Sequence, residues 1–110
     1  MVRLSIHLYA PAARARAIEG ALRTLMASTR LEPGCIGCEV WRSADEADEL
    51  FEVHYEERWA SERAIENRVR SDAFTRLLEI LEAASELPRV EFDFVSRQHG
   101  LEYVDALRRQ

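Results

Sequence analysis

The stretch GCIGCEVWRSADEADELFEVHYEERW, Gly34 to Trp59, decides the fold. Two apolar-rich runs, Ile36 to Arg42 and Leu50 to Glu57, flank the polar tip SADEADE, Ser43 to Glu49, and read as the strands of a long-looped hairpin. Upstream, Val2, Leu4, Ile6 and Leu8 alternate with Arg3, Ser5, His7 and Tyr9, the period of a half-buried strand. Between this strand and the hairpin, Pro11 sits where a first helical turn accepts proline. Ile18, Leu22, Leu25, Met26 and Thr29 then recur at helical spacing until Pro33-Gly34 stops the helix. Downstream, Ser61 caps a short helix running to about Val69. Ser71-Asp72 starts another, with Phe74, Leu77, Leu78 and Leu81 on one stripe. Pro88 ends that helix, and Val90, Phe92 and Phe94 alternate as a fourth strand. The order β-α-β-β-α-β is the split arrangement of ferredoxin-like α+β sandwiches. A tail after Gly100 carries a weaker Leu101, Val104, Leu107 spacing.

Composition narrows the function. At 110 residues, 47% hydrophobic and 32% charged, the chain suits one domain around one core. No apolar run approaches the roughly 20 residues of a membrane span, and the alternating start does not resemble a signal peptide, so a cytoplasmic protein is expected. A net charge of −5, with arginines scattered among carboxylates, opposes nucleic-acid binding. Every basic residue other than histidine is arginine, which excludes a phosphate-loop lysine, a Schiff-base lysine and a lysine general base.

Such a sandwich leaves one sheet face without helices. Alternation turns Val2, Leu4, Ile6, Phe51, Val53 and Tyr55 toward the helices, and Ser5, His7, Tyr9, Trp41, Glu52, His54 and Glu56 away from them. The second set is too aromatic for a face left in water, and a symmetric homodimer packed sheet to sheet is expected to cover it. Cys35 and Cys38 form a C-x-x-C at the entry to the second strand, not at a helix start. Extended backbone would point them apart, and a tetrahedral metal site would need further ligands, so structural cysteines are expected. His7 and His54 could share a face near Glu52 and Glu56, a set that would suit a transition metal. The expectation is instead interface histidines hydrogen-bonded to carboxylates, with no metal. The acidic tip Asp45, Glu46, Asp48 and Glu49 lacks the glycine and spacing of a calcium loop and reads as a solvated turn.

Three blocks, EPGCIGCEVWRS, FEVHYEERWAS and AIENRVRSDAF, resemble the antibiotic biosynthesis monooxygenase domain. The resemblance covers residues 1–96, leaving residues 97–110 as a C-terminal extension expected to pack on the dimer. It implies a dimeric α+β barrel with a pocket in each subunit between sheet and helices. It also implies a cofactor-independent monooxygenase: a small electron-rich aromatic, such as a quinol, phenol or polyketide, loses a proton and passes an electron to O2, without flavin, haem or metal. The same scaffold also carries isomerases and members that only bind a ligand, so an isomerase and a non-catalytic ligand-binding dimer stand as alternatives.

On the resemblance, Tyr55, Trp59 and Arg68 are the candidate catalytic residues, and Phe51, Phe74 and Leu78 the candidate pocket lining. Tyr55 could hydrogen-bond a substrate oxygen, and Trp59 could stack on its ring or pack a helix. Arg68 stands where many family members carry histidine. Its permanent charge excludes a base but could stabilise a phenolate, the other reading being an exposed arginine. Leu78 takes the approximate place of the proximal histidine of the haem-degrading branch, so axial haem ligation is not expected there.

Overall fold

The structure, a computed structural model, describes residues 1–43 and 50–109. Its elements follow the expected order: β1 (Val2–Pro11), α1 (Ala12–Thr29), β2 (Cys35–Arg42), β3 (Leu50–Trp59), α2 (Glu62–Val69), α3 (Asp72–Leu81), β4 (Arg89–Phe94) and α4 (Leu101–Arg108). The strands form one antiparallel sheet in the order β2-β3-β1-β4, and the fold is a ferredoxin-like α+β sandwich. The acidic tip lies outside the described residues. Among the described residues, no helix is long and apolar enough to cross a membrane.

The core forms where the periodicities demanded it. Leu4, Ile6, Leu8, Val53 and Tyr55 from the sheet meet Ile18, Leu22 and Leu25 of α1 and Phe74, Leu77 and Leu81 of α3. Each such side chain contributes about 1.5–3 kcal/mol on leaving water, which outweighs any helix propensity in this chain. Ser61 Oγ accepts from the Ala64 N–H and Ser71 Oγ from the Phe74 N–H, closing the first turns of α2 and α3. Pro11 ends β1 and precedes α1, one step earlier than a first-turn position. Gly34 has φ +86°, and a Cβ there would lie 2.7 Å from that of Ala64, so the turn after α1 needs glycine on both counts.

Two local expectations are corrected. Register shifts between Cys35 and Gly37, and this bulge puts Cys35 opposite Trp59 and Cys38 opposite Glu57. Both cysteines therefore face the helices instead of diverging, because an extra residue resets the alternation. β3 also runs on to Trp59, two residues past the expected end, which carries Glu57 and Trp59 onto the helix side with Tyr55. The tail does form a helix, α4, but none of its residues is buried.

Candidate functional site

Tyr55, Glu57 and Trp59 stand at alternate positions of β3, so all three point toward the helices. α2 begins three residues later and turns Ile65 and Arg68 inward on the same face of the helix. The consequence is a buried polar cluster around Glu57, which is fully inaccessible. Arg68 grips the carboxylate with two donors, Nε to Oε1 at 3.1 Å and Nη2 to Oε2 at 2.8 Å. Trp59 Nε1 donates to Oε1 at 2.9 Å, and the Tyr55 hydroxyl donates to Oε2. Arg68 Nη1 reaches Glu32 Oε2 at 2.9 Å, and Nη2 reaches Thr29 Oγ1 at 3.2 Å, whose own hydroxyl donates to the Leu25 carbonyl. Its guanidinium carbon lies 5.8 Å from the ring centres of both Trp59 and Phe74.

The electrostatics of this cluster are those of a closed circuit. Burial alone would lower the pKa of Arg68, but the hydrogen bonds and charge of Glu57 more than reverse that and leave it above the usual arginine value. Burial, then the charge of Glu57, pushes the Tyr55 phenol up, so Tyr55 stays a neutral donor. Cys38 packs beside Tyr55, and burial pushes its thiol up to about 12. Cys35 is raised in the same direction. Both cysteines are free thiols whose thiolate forms are disfavoured, which makes them poor nucleophiles. Glu32, with its side chain 31% exposed, is where this network meets solvent.

Of the residues expected at the site, the structure brings Tyr55, Trp59, Arg68 and Phe74 into one cluster. Phe51 sits apart with the Arg42 guanidinium 5.5 Å over its ring, and Leu78 lies on α3 facing β4. Glu57, the residue at the centre, was not singled out from the sequence. The signal was present, since extending the Phe51, Val53, Tyr55 alternation by one step lands on it.

Two cavities lie on the helix side of β4. One, of about 220 Å³, is lined by Ile65, Glu66, Val69, Arg70, Phe92 and Phe94. The other, of about 300 Å³, is lined by Leu78, Leu81, Glu82, Leu87, Pro88 and Val90. Neither is lined by Tyr55, Trp59 or Arg68. Ile65 is the link, because it faces the smaller cavity and packs on Trp59 and Val2 from behind.

The helix-free face carries a second, more open cluster. His7 and His54 are direct cross-strand partners, with ring centres 4.5 Å apart. Glu52 Oε1 is 3.2 Å from His7 Nδ1 and 3.2 Å from His54 Nε2. Burial lowers the pKa of His54, partly opposed by the charge of Glu52. Trp41 stacks on His54 at 5.1 Å with the planes 4° apart. Glu56 turns instead toward Arg58, 3.9 Å away.

Residues 1–79 match the sequence model of the family described as antibiotic biosynthesis monooxygenase. Solved structures of similar fold include a Deinococcus radiodurans protein proposed as an antibiotic biosynthesis monooxygenase. It is 20% identical with a TM-score of 0.75, over 91% of this chain and 97% of that one. PA3566 of Pseudomonas aeruginosa is 26% identical with a TM-score of 0.65, over 87% and 94%. SO0527 of Shewanella oneidensis is 24% identical with a TM-score of 0.70, over 84% and 87%. No curated protein sequence matches the chain significantly.

Proposed function

We propose, from the premise that the chain belongs to the antibiotic biosynthesis monooxygenase family, that it is a cofactor-independent monooxygenase acting on a small electron-rich aromatic such as a quinol. Family membership supports a monooxygenase-like role. The substrate class and the use of O2 are our reading. The observation that carries it is the cavity between α2 and β4, apolar on Ile65, Val69, Phe92 and Phe94 and bordered by one carboxylate, Glu66, and one guanidinium, Arg70.

An apolar cavity of about 150 Å³ admits benzene, so about 220 Å³ admits a one-ring quinol. Phe92 and Phe94 supply ring faces and edges to such a guest. Glu66 accepts the proton of its hydroxyl, and Arg70 neutralises the resulting anion. Held against this apolar surface, the anion passes one electron to O2 and the two radicals recombine at a ring carbon. The balance closes without another reductant. One oxygen atom enters the ring, the other leaves as water, and the quinol supplies all four electrons in becoming a hydroxyquinone. In this reading Tyr55, Trp59 and Arg68 act behind Ile65 as positioning residues, holding α2 against β3 through Glu57.

The chain is also proposed to work as a homodimer joined through the helix-free face, where Tyr9 and Trp41 are 39% and 43% exposed. On the same proposal the α4 extension packs on the partner. Sedimentation equilibrium at micromolar concentration should find twice the chain mass, and a purely monomeric species would remove the dimer from the account.

The test of function is oxidation of a quinol panel under labelled O2, with chelator present and boiled protein as the blank. One labelled oxygen atom per product is expected, at a rate above the blank. Val69→Trp fills the cavity from a half-exposed position and should cut that rate at least about tenfold, which is a loss of about 1.4 kcal/mol of transition-state stabilisation. Label appearing only in hydrogen peroxide, or Val69→Trp at the wild-type rate, would contradict the proposal. A second reading, a ligand-binding dimer without turnover, draws on the full engagement of Arg68 by Glu57, Glu32 and Thr29. Tight binding of an aromatic with only background oxidation would establish it.

A further inference from the structure

The helix-free face holds three metal-ligating side chains that the proposed reaction does not use. His7 and His54 face each other across the β1–β3 register, and Glu52 lies two residues before His54 on the same face. The donor atoms of the three lie within 4.8 Å of one another. We propose that His7 Nδ1, His54 Nε2 and a Glu52 carboxylate oxygen bind one divalent late transition-metal ion of the zinc or nickel kind. The site is complete within a single chain, and it goes beyond the hydrogen-bonded histidine pair expected from the sequence.

The geometry carries the assignment. With donor–metal bonds of about 2.1 Å, tetrahedral or octahedral angles set neighbouring donors roughly 3.0–3.4 Å apart. Both nitrogen–oxygen edges of this triangle already measure 3.2 Å. The third edge, His7 Nδ1 to His54 Nε2, lies within 4.8 Å and shortens on binding. The donor set selects the ion: two imidazoles and one carboxylate suit zinc, nickel or copper, whereas magnesium and calcium take all-oxygen sites. Ser43 Oγ, 3.5 Å from His54 Nε2, offers a fourth position. The ring of His54 is held in place by its stack on Trp41.

Two features limit the affinity. His54 Nδ1 is buried with no hydrogen-bond partner among the described residues, so a metallated ring has no acceptor for its second N–H. Arg89, opposite His7 on β4, adds a positive charge to this face, partly neutralised by Glu91 at 3.3 Å. A site of micromolar affinity is therefore expected, not a tight structural one.

Trp41 provides a local readout, because the other tryptophan, Trp59, lies on the opposite face of the sheet. Tag-free protein, stripped with chelator, is dialysed overnight against a series of nickel or zinc chloride concentrations and the bound metal is counted by elemental analysis, so that slow uncovering by a second chain does not block entry. One ion per chain with a micromolar Kd is expected. Nickel should quench Trp41 fluorescence at the same stoichiometry, and magnesium should not. His7→Ala and Glu52→Gln, both at half-buried positions, should each weaken binding by about tenfold or more with unchanged circular dichroism. Cys35→Ala should leave binding intact. No saturable binding at millimolar metal, binding that survives both His7→Ala and Glu52→Gln, or binding lost in Cys35→Ala would overturn the proposal.

Discussion

Glu57 and Glu52 sit five residues apart on one strand and face opposite ways. The first has no exposed surface and accepts four hydrogen bonds, two of them from Arg68. The second keeps 27% of its side chain exposed and holds two histidines through one oxygen. A carboxylate removed from water must have its charge matched, and the price of leaving it unmatched is several kcal/mol. A carboxylate left at the surface is screened, and its partners contribute little to stability but remain free to exchange. Within one chain the helix side is thus a locked frame, and the helix-free side is a place where charge and ligands can change until a second chain covers it.

The largest expected effect that can break this comparison is Arg68→Leu. It strands a buried carboxylate and should lower unfolding stability by about 3–5 kcal/mol in a denaturant titration. A loss under 1 kcal/mol would mean that the pair is not buried as described. Next is Tyr55→Phe, which removes one hydroxyl donor from the same carboxylate and should cost about 1.5–3 kcal/mol. In the proposed reaction it should leave turnover at permissive temperature nearly unchanged.

The Cys38 thiol sharpens the same contrast through pH. Its pKa is raised from the ordinary 9.0 to about 12, so its contribution to stability is complete below 9 and is lost as pH climbs toward 12. At pH 9 a thiol reagent should modify Cys38 only on unfolding, and rapid reaction in the native protein would show that the helix side is open. The smallest effect belongs to the other carboxylate. Glu52→Gln should change stability by about 1 kcal/mol or less, since two partly exposed ion pairs are all it removes.

The sequence carried the frame more readily than what the frame holds. The period-two runs and helical stripes placed β1 through β4 and the three core helices, because each pattern is local and its burial is collective. The network around Glu57 depends on contacts that no window contains. Arg68 is 11 residues from Glu57, 36 from Glu32 and 39 from Thr29. The run Glu56-Glu57-Arg58 has the composition of a solvated strand end, and that hid the alternation through it. The bulge at Cys35 to Gly37 was equally silent, since one extra residue reverses faces without changing the residue types. Tyr55, Trp59 and Arg68 were legible as a group, but the carboxylate that joins them was not. The smaller cavity depends on two strand phenylalanines meeting the α2 face, a pairing set by β4 at the sheet edge.

The central claim is that the aromatic substrate enters the cavity between α2 and β4 while the Glu57–Arg68 frame stays closed. Amide chemical-shift mapping during titration with a one-ring quinol, under anaerobic conditions to prevent turnover, tests it directly. The account predicts saturable shifts confined to Ile65 through Arg70 and to Phe92 through Phe94. Shifts centred instead on His7, Trp41 and His54, or on the segment from Leu78 to Val90, would contradict it.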